Sequence, residues 1–195
     1  ASWRDWPTAA KVLEELDRKK ELATLLIEVV DNASDPTDVL AAGRQLMTAT
    51  NMAAMERLEP VLLAAVFRRA HKPIYRKLLV DLYAVMVERH SRRLLDPAQA
   101  ADARQKLAGI GERGLKPVLD SIDASDLAVR TRVLRILMAT RSHNAVLPLV
   151  RLLEEKDSVL RFQALVALAH IGSTSAVAPI EKLIGARQRV GPGAV

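Results

Sequence analysis

The sequence predicts an all-α chain folded as an α-solenoid, with about ten or eleven helices stacked as antiparallel pairs. Three observations point to it. Half of the 195 residues are apolar yet only 3% are aromatic, and Leu, Ala and Arg abound. Glycine and proline are scarce, at 8 and 9 residues. The second half of the chain also repeats itself with a period of 31 residues, inside the window of roughly 20 to 50 residues that marks repeat architectures.

The first helices are read from residues 8 to 31. Val12, Leu13 and Leu16 set one apolar phase, and Leu22, Leu25, Leu26, Val29 and Val30 set another. The charged run Asp17-Arg18-Lys19-Lys20-Glu21 separates them, which predicts two helices with a tight joint. One long helix is the alternative. Asp31 to Asp35 breaks the pattern and Pro36 opens the next helix. Asn51 divides that helix from one carrying Leu58, Val61, Leu62, Ala65 and Val66.

Pro73 to Arg93 reads as one long helix, near 31 Å at about 1.5 Å per residue. Ile74, Leu78, Leu82 and Met86 form one stripe, and Leu79, Val80, Tyr83 and Val87 form a second. A helix apolar on two faces is expected to lie between neighbours.

The repeat begins after it. A shift of 31 residues places Asp126 on Asp157, Arg130 on Arg161, Leu134 on Leu165, Leu137 on Leu168 and Ser142 on Ser173. It also places Ala145 on Ala176, Val146 on Val177, Pro148 on Pro179 and Leu152 on Leu183. An earlier copy runs through Asp96, Leu107, Gly111 and Pro117, and a weaker one through Asp35, Leu46 and Pro60.

Each unit reads as two helices. In the last copy Asp157 or Ser158 caps a first helix with the stripe Leu160, Ala164, Leu165, Leu168 and Ile171. Gly172 closes it, and Ser173 to Ser175 form the turn. The second helix carries Pro179 in its first turn and is expected to bury Val177, Ile180, Leu183 and Ile184. The organisation expected is an irregular helical part at 1–95, regular units at 96–125, 126–156 and 157–186, and a tail at 187–195, all in one continuous domain.

These residues resemble a known family. Asp-x-x-x-Arg, an Ala/Leu-rich helix, Ile-Gly, a turn and Ala-Val-x-Pro are similar to HEAT repeats of the phycobilisome-lyase-like subtype. The likeness is good over 96–186 and fair over 35–66. Ala100 stands where the Arg would be in one copy, and Thr140-Arg141 replaces Ile-Gly in another. The resemblance implies a right-handed superhelix. It carries little function, because such folds serve many tasks.

Several function classes are excluded or disfavoured. With no Cys there is no disulfide scaffold, thiolate metal site or Cys nucleophile. His71, His90, His143 and His170 share no zinc-ligand spacing, and Gly-rich phosphate loops and Gly-x-Ser-x-Gly are absent. Glu14-Glu15 and Glu154-Glu155 are adjacent on helices, so their side chains diverge by about 100°. No catalytic residue, cofactor or metal is expected. No apolar window suits a membrane span. The chain is expected to be cytoplasmic and, starting without Met, part of a larger protein.

The net charge is +6, and the excess rises from +2 over residues 1–95 to +4 over 96–195. Arg130 and Arg161 each follow an Asp by four residues, which suggests a structural ladder of Asp126, Arg130, Asp157 and Arg161 between units. Two surfaces remain as candidates for a partner. One is the outward face of the second helices, carrying Lys116 and Asp120, Leu147 and Arg151, then Ala178 and Lys182. In HEAT-like stacks the second helices line the concave wall. The other is the basic junction Arg68, Arg69, His71, Lys72, Arg76 and Lys77. Arg76 and Lys77 stand in an opening helical turn, against the helix dipole. By contrast Arg89, His90, Arg92 and Arg93 close a helix and suit its dipole.

The function expected is a scaffold that binds a protein or peptide. The alternative is nucleic-acid backbone binding through the basic junction, with a HEAT-like DNA glycosylase as its enzyme form, and a phycobilin lyase comes last. Trp3 and Trp6 lie outside the repeats and are expected to form a lid over the first helices.

Overall fold

A computed structural model of the chain describes residues 5–49, 51–68, 72–121 and 126–189, with the backbone alone at 72, 183, 184 and 186–189. Among the described residues every regular element is helical. The α-helices are α1 (Trp6–Glu15), α2 (Lys19–Asn32), α3 (Pro36–Ala49), α4 (Met52–Arg68), α5 (Lys72–Arg93), α6 (Ala100–Leu119), α7 (Leu127–Thr140), α8 (Val146–Leu152), α9 (Ser158–Ile171) and α10 (Val177–Arg189). Short 3-10 turns, His143–Ala145 and Thr174–Ala176, lead into α8 and α10. The chain divides into two compact units, Ala1–Arg89 and His90–Val195.

In the first unit the charged joint separates α1 from α2. Asp17 adopts φ +52°, a left-handed conformation, and Arg18 donates its backbone N–H to Leu13. Asn51 caps α4 through the Ala54 N–H at 3.1 Å. α2 packs against α1, α3 and α4.

Most of α5 facing this unit is buried. Tyr75 Oη donates to the Val30 carbonyl at 3.3 Å and Tyr83 Oη donates to Glu59 at 2.9 Å. Both expected stripes of α5 are buried except Ile74, which is half-buried. Gly43 of α3 makes room for Leu78, since a Cβ at Gly43 would lie 2.8 Å from Leu78 Cδ2. Trp6 is buried, and its indole N–H reaches Asp38 of α3 at 3.0 Å. Trp3 lies outside the described residues.

In the second unit α6 packs on α7, α7 on α9, and α8 on α9. The repeated residues do the same work in each copy. Asp35, Asp96, Asp126 and Asp157 each accept the backbone N–H two residues on, from Thr37, Ala98, Ala128 and Val159, at 2.8 to 3.0 Å. Eleven residues after each Asp stands a buried leucine: Leu46, Leu107, Leu137 and Leu168. At Asp35, Asp126 and Asp157 the carboxylate fixes where a helix starts, whereas Asp96 closes a turn ahead of α6; in every copy the leucine falls on the core side.

Three expectations are corrected. The unit at 96–125 is not two helices: α6 runs unbroken through Gly111 and Pro117. Gly111 is a buried helical residue against α7, where a Cβ would come within 3.0 Å of Thr140 Cβ. This copy is one residue short before its Pro and lacks the Ser-rich turn, so nothing draws the chain out of the helix. Leu165 is only half-buried, and Ala167 takes its place on the buried face of α9. Val177 is 49% exposed, whereas its counterpart Val146 is buried; Ala176 is buried instead. α8 packs against the following 3-10 turn. Ile180 is half-buried, and the side chains of Leu183 and Ile184 lie outside the described ones. The carboxylates of Asp126 and Asp157 cap their own helices, and Arg161 donates to the carbonyls of Glu155 and Lys156 at 2.6 and 2.8 Å. Arg161 thus ties the first helix of the last unit to the backbone that closes the unit before it, at Glu155 and Lys156.

Gly172 ends α9 at φ +68°, and Arg141, its counterpart, ends α7 at φ +49°. The left-handed turn is thus kept in both of these copies although only the last has glycine there. A side chain in this conformation costs roughly 1 to 2 kcal/mol. Arg141→Gly is expected to stabilise the chain by about 0.5 to 1 kcal/mol in urea unfolding, after the added backbone entropy of the unfolded state is set against that gain. A destabilisation would contradict the left-handed assignment.

Candidate partner-binding surfaces

The second-helix positions are all exposed: Lys116 and Asp120 at the end of α6, Leu147 and Arg151 on α8, Ala178 and Lys182 on α10. Leu147 is the telling one, because a leucine 72% exposed within a seven-residue helix lies far from the core that holds Val146, Leu149 and Leu152. The register that buries those three turns Leu147 and Arg151 outward together, four residues apart.

The basic junction is only partly described. Arg68 is exposed at the last residue of α4, Arg76 and Lys77 are half-buried on α5, and Arg69, His71 and the side chain of Lys72 lie outside the described set. Within that set the buried Nε of Arg76 makes no hydrogen bond. The aromatic rings near this junction turn inward: Tyr75 and Tyr83 are 1% and 0% exposed and are held by Val30 and Glu59. Neither can stack on a base.

The other cations at the end of α5 have structural partners. Arg89 donates to the Met47 carbonyl at 3.4 Å. Arg93 donates to Gln99 at 2.9 Å and to Asp102 of α6 at 2.7 Å, a charge-assisted clamp between the end of α5 and the start of α6. His90 is buried in the last turn of α5, His143 and His170 are exposed, and His170 Nδ1 lies 2.9 Å from the Val166 carbonyl.

No acid–base couple emerges from the carboxylates singled out in the sequence. Glu14 accepts from Gln45 at 3.2 Å, Glu15 sits 4.0 Å from Lys11, and Glu154 and Glu155 are exposed. Among the described residues no three His, Asp or Glu side chains are grouped to hold a metal ion, and no helix is long and apolar enough to cross a membrane. An open depression of about 420 Å³ runs along α2, lined by Lys20, Glu21, Thr24, Leu25 and Glu28. At its edge the Arg18 guanidinium hydrogen-bonds Glu21 at 2.6 Å and holds that carboxyl below the ordinary carboxylate range, with the backbone N–H of Glu21 acting in the same direction.

Two features escaped sequence reasoning. Glu59 is buried; it shares the phase of Met55, Leu58 and Leu62, so its spacing placed it on the core face. The outward side of α9, with Phe162 exposed, carries no polar pattern that would have marked it as surface. The chain matches no protein-family model and no curated protein.

Proposed function

We propose that this chain is a non-catalytic, right-handed HEAT-like α-solenoid module that binds a protein or peptide along the outward face of its second helices. The observation that carries the reading is the exposure of Leu147 beside Arg151 on α8, with Ala178 and Lys182 at the equivalent positions of α10. An exposed leucine flanked by cations suits a partner segment with an apolar anchor and an acidic flank. The repeat reading is supported by the four Asp carboxylates that each accept the backbone N–H two residues on, the four buried leucines and the matched left-handed helix ends at Arg141 and Gly172. A stack of such units offers an extended surface without any catalytic group.

The test is affinity capture with the full chain and with the double variant Arg151→Glu/Lys182→Glu. The proteins retained by the native chain should be lost with the variant while its melting temperature stays unchanged. Retention of the same proteins would refute this face.

A second reading rests on the cations Arg68, Arg76 and Lys77, exposed or half-buried at the end of α4 and the start of α5. Their charged ends would pair with nucleic-acid phosphates. Binding of duplex DNA should then weaken by about 0.9 log units of affinity per log unit of salt for each phosphate contact. No gel shift at low salt eliminates this reading.

A further inference from the structure

α9 combines two properties that conflict. Apart from Ser158, Arg161, Gln163 and His170 it is apolar around its circumference, the pattern of a helix buried on all sides. Yet Val159 and Phe162 are 53% and 65% exposed, and Leu165 and Val166 are half-buried. Residues 159, 162 and 166 follow helical spacing and span about 10 Å at 1.5 Å per residue, a stripe two turns long.

The preceding copy shows what this side of the helix is built for. Leu134 of α7, the counterpart of Leu165, is 2% exposed in a helix that α9 packs against. The same position on α9 stays half open. Where α7 carries Thr131 and Arg135, α9 carries Phe162 and Val166. The outward surface of the second unit therefore changes from polar to apolar between one repeat and the next.

The charge around the stripe points to its occupant. α7 and α9 hold four arginines and no Asp or Glu in their two 14-residue spans; Arg161 is held by the Glu155 and Lys156 carbonyls, and Arg130 and Arg132 have partners of their own. The carboxylates that open them, Asp126 and Asp157, are engaged with backbone N–H groups. Arg135 is exposed on α7 at the position matching Val166. Two copies meeting through α9 would bring like cationic helices together, which like-charge repulsion opposes. A helix with an apolar stripe and carboxylates along its flank answers both the apolar spacing and the charge.

We propose that the outward stripe of α9 is a docking site for an acidic amphipathic helix of a partner protein, anchored on Phe162 and Val159 and steered by Arg135. This surface is separate from the second-helix face, and its test is read independently.

The probe is a fluorescein-labelled helical peptide with a leucine stripe flanked by Glu, compared with a twin carrying Lys at every Glu, each titrated with the full chain and followed by anisotropy. The Glu peptide should bind about tenfold or more tightly than the Lys peptide, and Phe162→Asp should weaken it by a similar factor. Arg135→Glu should weaken it several-fold and flatten its dependence on salt. Arg151→Glu/Lys182→Glu should leave it unchanged. Phe162 is exposed, so its variant should keep the native melting temperature, and Arg135→Glu gives a second reading that leaves the apolar stripe intact. Equal binding of the two peptides, or insensitivity to Phe162→Asp, overturns the proposal. So does binding to phosphatidylglycerol vesicles that Phe162→Asp abolishes while the Glu peptide fails to bind, which would assign the stripe to a membrane surface. Concentration-dependent self-association lost in Phe162→Asp would assign it to a second copy and overturn the proposal as well.

Discussion

Leu168→Ala is expected to cost roughly 2 to 5 kcal/mol in urea unfolding, the range for emptying a leucine from a packed core. Leu168 is 2% exposed, and Ala164, Ala167 and Ile171 are buried on the same side of α9. The small neighbours matter. Alanines have no side chain with which to close over a missing isobutyl group, so the cavity should persist and place the cost toward the upper part of the range. The informative control is the pair Leu134→Ala and Leu165→Ala. They are equivalent by the 31-residue repeat but unequal in burial, so Leu134→Ala should be the more damaging. Equal losses at both would mean that α9 is covered to the same extent as α7, and the open stripe around Phe162 would not exist. A loss under about half a kcal/mol at Leu168 would refute its place in the core.

Trp6→Ala is expected to lower stability by about 3 kcal/mol or more, as for other buried aromatic truncations. Trp6 is buried at the start of α1, yet it is tied to Asp38 of α3 at 3.0 Å across 32 residues of sequence. Burying the ring covers apolar surface, while the hydrogen bond satisfies the indole N–H that burial would otherwise strand. The two contributions separate experimentally. Trp6→Phe keeps most of the ring and loses the hydrogen bond, for a cost of about 1 kcal/mol plus the smaller ring volume. A double-mutant cycle with Asp38→Ala should return a coupling of about 0.5 to 1.5 kcal/mol. A Trp6→Ala variant as stable as the native chain would remove α1 from the packed first unit.

The two substitutions should act differently on the α9 surface. Leu168→Ala perturbs the buried side of α9 and should loosen the helix that presents Phe162, whereas Trp6→Ala acts in the other compact unit. Binding of the acidic peptide measured under conditions where each variant remains folded should therefore follow Leu168 and ignore Trp6. This gives a check on the α9 site that involves no residue of the site itself.

Much of the architecture was legible in the residues because it depends on local rules. The joint at Asp17 to Lys19, the break at Asn51, the single long helix α5 and the caps at Asp126 and Asp157 each follow from charge runs, capping side chains and apolar spacing within one or two turns. The repeat added a longer-range signal: the Asp that recurs after 31 positions, at 126 and 157, caps a helix each time. Where the reading failed, the deciding partner lay elsewhere in the chain. Gly111 looked like a helix end by analogy with Gly172, but it is a helical contact point whose smallness is required by Thr140, 29 residues later. Arg141 gave no sign of a left-handed turn, because nothing in its own side chain favours one; the turn is set by the helices on either side.

The candidate surfaces divide in the same way. The second-helix positions were identified from their register against the buried stripe, and they are exposed in the structure. The stripe on α9 was invisible, since an apolar helix among apolar helices announces burial, and only the packing reveals which of its sides lacks a neighbour. Likewise Tyr75 and Tyr83 stood near a basic cluster in sequence, and the fold turned both rings into the core. Sequence alone determined that the chain is helical, where most helices begin and end, and which residues recur. The tertiary structure decided which equivalent residues are covered and which are left in solvent, because burial depends on what lies across from a side chain, and the chain brings those partners together from about 30 residues or more away.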